Sequence, residues 1–292
     1  MTQFFVLASF LAVFCSQAFA EEPLLDAAAA LQKSFETREK LVKGSCTITG
    51  VNHLRDVYRD GPGPDTELKL VFDFSVPVFR IAEHGTGIYL RTPDYQYHTY
   101  GNRHVINRMP LDQHLVRDPY PFHVHTLGFY SRPNARLRDT SFLDFEKMRD
   151  RLLASEFLEA KMEDGLLRIR FERPRVEGDH YAVQYQMWLD PDKGYLPERI
   201  EEFGADKQKL LVHSDLDWKL VSDTWVPASF KQTLRKRSSY QIRWSFDWHS
   251  VNENIPDARF ELNTFPLSGE TIELRDRDPS GRTTKVGTVQ GI

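Results

Sequence analysis

The chain of 292 residues is 40% hydrophobic, 27% charged and 12% aromatic, a balance that supports a packed globular core and excludes disordered, collagen-like and low-complexity classes. Its formal net charge of −4 leaves no basic surplus to neutralise a phosphate backbone, so nucleic acid is not an expected partner. The one long apolar run, residues 4–14, is about half the length of a membrane span, so no transmembrane segment is expected in the mature form.

That run reads as the h-region of an export signal over residues 1–20, with Ala18-Phe19-Ala20 as an A-x-A cleavage site ahead of Glu21-Glu22. The n-region Met1-Thr2-Gln3 carries only the amino terminus as a positive charge, and Phe14 before Cys15 argues against lipid modification of that cysteine. Cleavage after Ala20 leaves Cys46 as the one cysteine, so no intramolecular disulfide is expected and the core must hold the exported chain. A chain of this size buries roughly three quarters of its unfolded surface as a single domain, expected here over 21–265. The expected location is the periplasm or cell envelope.

The first mature element is a helix: Leu24, Ala28, Leu31, Phe35 and Leu41/Val42 recur at helical spacing, Pro23 suits the first turn, and Gly44 suits the end. From Ser45 the period changes to two. Leu68, Leu70, Phe72, Phe74 and Val76 share one strand face, and the phase slips at Pro77, predicting a bulge or corner before Phe79 and Ile81. Between Pro110 and Pro133 four prolines interrupt the chain, and Ser141 then suits the cap of a helix with Phe142, Phe145, Met148, Leu152 and Leu153 on one face. Residues 110–153 thus read as an irregular and helical insert. Beyond it, Leu167, Ile169 and Phe171 alternate with Arg168 and Arg170. Val183, Tyr185, Met187 and Leu189 alternate with Gln184 and Gln186, and Tyr240, Ile242, Trp244, Phe246 and Trp248 with Gln241, Arg243 and Asp247. Val212, Leu216, Trp218 and Leu220 continue the pattern. These are antiparallel strands with one wet face, since no helical crossovers separate them. After Phe265-Pro266 the chain reads as an extended or mobile tail over 266–292.

Chemistry-bearing patterns are weak. His98, His104, His114, His123 and His125 fall close together, and His123-Val124-His125 would place two imidazoles on one side of a strand. No Cys, Asp or Glu stands beside them at a recognisable ligand spacing, so no metal is expected, and a histidine-based metalloenzyme is kept only as a distant alternative. There is no G-x-S-x-G elbow and no glycine-rich phosphate loop, and Cys46 reads as a core thiol. Carboxylate pairs such as Asp190/Asp192 and Glu201/Glu202 read as turn and strand-end charges that serve solubility. No catalytic residue and no cofactor are therefore expected, and the chain is read as a non-enzyme.

The most informative stretch is Trp188-Leu189-Asp190-Pro191-Asp192-Lys193-Gly194-Tyr195-Leu196-Pro197, a hairpin in which Asp190-Pro191-Asp192 sets the turn and Gly194 takes a positive φ. Together with Asp223-Thr224-Trp225-Val226-Pro227 and the closing segment Val251 to Phe260, it resembles the lipoprotein-carrier superfamily typified by LolA and LolB. The signal, first helix and strand order are similar too, over roughly residues 24–265. The resemblance implies a mainly β (α+β) fold: a strongly curved, unclosed antiparallel β-barrel whose concave side is covered by the N-terminal helix and inserted helices. It also implies an apolar cavity between sheet and lid that takes acyl chains.

The side chains that would line such a cavity are Leu31, Phe35, Phe142, Phe145 and Met148 on the lid, and Ile169, Tyr185, Met187, Ile242, Trp244 and Phe246 on the sheet. The alternative for each is ordinary core. The expected function is binding or carrying a hydrophobic ligand, with lipid or an acylated protein as partner. The alternative is an envelope protein–protein interaction or sensor module, because the same fold resembles the sensory domain of the regulator RseB. The chain departs from the carriers in its enlarged middle and added tail, and no position matches the family's lid-holding arginine.

Overall fold

The alternation that starts near Ser45 becomes one unclosed sheet of fifteen strands. The computed structural model describes residues 26–52, 67–83, 87–99, 105–110, 124–128, 145–174, 184–204, 210–234, 240–262, 271–278 and 282–290. The first six strands are β1 (Lys43–Asn52), β2 (Glu67–Ser75), β3 (Val78–Glu83), β4 (Gly87–Arg91), β5 (Tyr95–His98) and β6 (Val105–Pro110). After helix α2 come β7 (Glu156–Glu163), β8 (Leu166–Glu172), β9 (Gln184–Asp190), β10 (Leu196–Phe203), β11 (Leu210–Val221), β12 (Thr224–Leu234) and β13 (Tyr240–Val251). The last two are β14 (Thr271–Arg277) and β15 (Thr283–Gln290), and the helices are α1 (Ala27–Glu39) and α2 (Phe145–Leu153). Across the sheet the order is β15-β14-β6-β5-β4-β3-β2-β1-β13-β12-β11-β10-β9-β8-β7, so among the described residues β15 and β7 are the two edge strands. The first strand pairs with the thirteenth, which joins the two halves of the chain into one curved surface.

This is the mainly β, unclosed and curved architecture expected, with one difference: β14 runs parallel to β6, so the sheet is mixed. The cause is the path of residues 252–262. They return along the outer face, bringing Arg259 within 3.9 Å of Asp73 on β2, so that β14 starts from the end of the sheet at which β6 starts. The segment expected as an extended or mobile tail thus contains two paired strands. The outer face there is not polar. Ile88, Leu90, Ile106 and Ile272 form a second buried cluster, against which Phe260, Leu262, Leu274 and Val289 pack.

Other boundaries also differ. Helix α1 is capped by the Asp26 carboxylate, which accepts from the Ala29 N–H at 3.0 Å, and it ends at Glu39. Gly44 lies in β1, where a Cβ would sit 2.9 Å from the Ser250 carbonyl oxygen, so this glycine serves strand approach and not helix termination. At Pro77, where a bulge or corner was expected, the chain makes a two-residue turn, with Ser75 opposite Val78 and Phe74 opposite Phe79. The expected cap Ser141 lies outside the described residues, and α2 is described from Phe145. The hairpin at 190–196 forms as read: Gly194 has φ 66°, and the Asp190 carboxylate accepts from the Asp192 N–H at 2.9 Å.

Candidate functional site

The inner face of the sheet and the two helices form one apolar cluster. The candidate ligand-binding residues Leu31, Phe35, Phe145, Met148, Ile169, Tyr185, Met187, Ile242 and Phe246 all belong to it, each no more than 6% exposed. Phe35 and Phe145 meet edge to face at 5.8 Å between ring centroids and join α1 to α2. Trp244 is the exception. It is only partly buried and tilts against Phe230 at 5.5 Å, at the margin of the cluster. Phe142 lies outside the described residues.

The lid is held by polar groups that the sequence reading missed. Arg38 is 3% exposed on α1, and its Nη1 donates to the carbonyls of His125 at 2.7 Å and Leu127 at 2.8 Å. Its guanidinium stacks over Trp218 at 4.9 Å, and burial pulls its pKa well below the usual arginine value. His125 lies 2.6 Å from the Leu41 carbonyl oxygen through Nε2, and its ring meets Phe145 at 4.9 Å. Burial, opposed by that hydrogen bond and reinforced by Arg38, pushes His125 down to about 4, so the ring is neutral. The segment 124–128 is therefore clasped between both helices. At the outer end Arg149 of α2 pairs with Glu39 of α1 at 2.7 Å.

Helix α1 is also docked on the β9–β10 hairpin. The Thr37 hydroxyl donates to the Gly194 carbonyl at 2.9 Å, and a Cβ at Gly194 would lie 2.5 Å from the Thr37 oxygen. Glycine is needed there twice, for its positive φ and for this approach. Asn252 ties the chain just beyond the same end of α1, accepting from the Val42 N–H at 3.0 Å and donating to the Lys40 carbonyl at 2.8 Å. One signal for the latch was available in the sequence: Arg38 falls in the Leu31 and Phe35 stripe, seven and three residues on, where a surface arginine would not sit.

The remaining candidates separate. His125 belongs to a short 3-10 turn, Val124–Thr126, and not to a strand, so it does not share a strand face with His123. His98 is on β5 with different neighbours, and His104, His114 and His123 lie outside the described residues. Among the described residues no three His, Cys, Asp or Glu side chains are grouped to hold a metal. Cys46 is a fully buried free thiol, which burial and then Asp73 push up beyond the usual range. Asp190 caps its turn and pairs with Lys193 at 2.9 Å. Glu201 meets His213 at 3.1 Å on the outer face, with Asp215 on the other ring nitrogen at 2.8 Å. Glu202, expected as a solubilising strand-end charge, is instead 3% exposed, because strand alternation turns it inward beside Tyr185.

No protein-family model matches the chain. No curated protein matches it. Among solved structures it is similar to a DUF1329 family protein from Desulfovibrio piger, with TM-score 0.50 and 13% identity over 81% of this chain and 98% of that one. It is also similar to a LolA superfamily protein from Nitrosomonas europaea, with TM-score 0.48 and 11% identity over 80% and 97% of the two chains. An outer membrane lipoprotein-sorting protein domain from Vibrio parahaemolyticus gives TM-score 0.49 and 11% identity over 80% and 97%. At these identities likeness concerns fold alone, and the Desulfovibrio structure carries it. At that level the resemblance read from the sequence stands: an unclosed, curved sheet under helices.

Proposed function

We propose that the chain is an exported, non-enzymatic binder or carrier of a hydrophobic ligand, held between the inner face of the sheet and the lid formed by α1, α2 and segment 124–128. The observation that supports it is the mode of closure. The lid rests on the apolar inner face and is fastened to itself through two main-chain carbonyls by one arginine, a joint that can release without unfolding the sheet. Each methylene of an acyl chain that replaces lid contacts returns about 0.8 kcal/mol, so no catalytic group is required. The ligand class is lipid or the acyl chains of a lipid-modified protein, and the expected setting is the periplasm or cell envelope. Among the described residues no helix is long and apolar enough to cross a membrane.

One observation favours the second reading, an envelope protein–protein interaction or sensor module on the same fold: nine candidate lining residues are no more than 6% exposed in the closed state. Mass spectrometry of lipid extracted from the purified mature protein separates the two. Stoichiometric lipid supports the binder. Lipid-free protein that also ignores apolar dyes supports the interaction module. Amino-terminal sequencing of the envelope form tests export: cleavage after Ala20 is expected, and a chain that still begins at Met1 or carries lipid on Cys15 refutes it.

A further inference from the structure

The inner face changes character along the sheet. From β1 to β3 it is aromatic, with Phe72, Phe74 and Phe79 stacked at 5.1–6.3 Å between centroids. Ile88, Leu90, Ile106, Ile272 and Leu274 pack on the outer side, so strand alternation turns their neighbours inward. Those neighbours are Tyr89 and Arg91 on β4, Gln96 and His98 on β5, and Glu273, Arg275 and Arg277 on β14. The register aligns Tyr89, His98, Asn107 and Arg275 in one row across four strands. Lys285 of β15 stands opposite Arg275.

This half is cationic, in a chain whose net charge is −4. Its one described carboxylate, Glu273, is already engaged by Arg275 at 2.9 Å and Lys285 at 3.3 Å. Arg277 makes no ion pair among the described residues, and its Nε is buried with no hydrogen-bond partner. It also faces His98, which burial and then the charge of Arg277 push down to about 4, so no compensating group comes from β5. A cation set inward without a partner is costly unless an anion completes it. The aromatic floor of β3 lies four strand spacings from β14, about 19 Å along one continuous surface.

We propose that this cationic half, centred on Arg277, binds the anionic head, a carboxylate or phosphate, of an amphiphile whose chain lies on the apolar half. The inference rests on the hydrophobic-binder reading and narrows its ligand to anionic amphiphiles. The test is titration of the full mature protein at neutral pH with palmitate, monopalmitoylglycerol and inorganic phosphate, beside a thermal melt. Wild type is expected to bind palmitate at least tenfold tighter than monopalmitoylglycerol, and phosphate to compete with palmitate alone. Arg277→Gln removes the preference and leaves monopalmitoylglycerol binding unchanged, while Arg243→Gln on the outer face changes neither. Should Arg277→Gln unfold, Arg277→Lys decides, since retained charge must retain the preference. Equal binding of both lipids by wild type, or a preference that survives Arg277→Gln, overturns the inference and leaves the binder reading intact. If neither lipid binds, that reading fails, and phosphate alone then decides: binding abolished by Arg277→Gln supports a site for free anions, and no binding refutes it.

Discussion

Replacing Arg38 by methionine is the sharpest perturbation of the lid, because it keeps most of the side-chain volume and removes only the charge and the donors. Two buried carbonyls, those of His125 and Leu127, lose a charged donor at 2.7 and 2.8 Å. Each such bond is worth about 1.5–3 kcal/mol, and each stranded carbonyl costs about 1–3 kcal/mol in lost solvation. Against this stands relief from burying a guanidinium, whose desolvation is large enough to depress its basicity. Buried charges replaced by apolar groups can stabilise a protein when both partners go, but here the carbonyls remain. The net loss is therefore about 3 kcal/mol, or roughly 6–12 °C in melting temperature at about 2–4 °C per kcal/mol for a domain near this size. Arg38→Lys falls between, since an ammonium keeps the charge and can donate to both carbonyls, which one nitrogen serves here, but loses the planar stacking over Trp218. The assay is a melt followed by circular dichroism, with limited proteolysis reporting on segment 124–128. An unchanged or raised melting temperature, with the segment no more sensitive to protease, refutes the latch.

Four further outcomes are expected. Gly194→Ala destabilises by about 2–4 kcal/mol, since φ 66° is unfavourable for alanine and its Cβ would lie 2.5 Å from the Thr37 hydroxyl; a urea midpoint equal to wild type contradicts the docking of α1. His213, raised to about 9 by its hydrogen bonds to Asp215 and Glu201, contributes stability that is complete below about pH 6.5 and lost as pH rises through about 9, and His213→Gln flattens that limb. His125 and His98, held down near 4 by burial, act oppositely: the unfolded chain takes up their protons first, so stability falls as pH drops from about 6.5 through about 4, and a flat acid limb in urea midpoints refutes their burial as neutral rings. Trp244→Glu, at the partly buried margin, leaves a folded protein with weakened apolar-dye binding, whereas Arg243→Glu on the exposed face changes neither; unfolding of the first with loss of binding in the second reverses the face assignment.

What the sequence made legible follows from where a single period governs. The rows Ile169/Phe171, Tyr185/Met187 and Ile242/Phe246 alternate cleanly and all face inward, since one buried face imposes a period of two. Strand β7 was not read because Glu156, Ala160, Lys161 and Met162 are helix formers, and only pairing with β8 makes them a strand. The β14–β15 hairpin was hidden for a related reason: its outer residues Ile272, Leu274 and Val289 pack into a second cluster with residues of β3, β4, β5, β6 and segment 260–262, all distant in sequence. Arg38 was legible as an anomaly in an apolar stripe, but its partners are main-chain carbonyls almost ninety residues away, which leave no trace in residue types. The cationic inner half depends on the parallel pairing of β14 with β6, a register that no local pattern specifies.

The near-complete burial of the candidate lining residues decides how a ligand could enter. For a chain to enter beneath the lid, α1 would have to part from α2 and from segment 124–128, separating Phe35 from Phe145 and freeing the carbonyls that Arg38 holds. An aromatic pair is worth about 0.5–1.5 kcal/mol beyond its area, and the latch about 3 kcal/mol, so the specific cost of opening is about 4 kcal/mol before apolar contacts are counted. About ten methylenes entering the same space return about 8 kcal/mol and also replace the apolar contacts that α1 and α2 surrender. Under the proposed function, long chains would therefore hold the lid open, while short or absent ones would leave it shut. On this arithmetic the packed interior and the proposed binding cavity would be two states of one surface, with the strength of the Arg38 latch setting the chain length at which the protein would pass from one to the other.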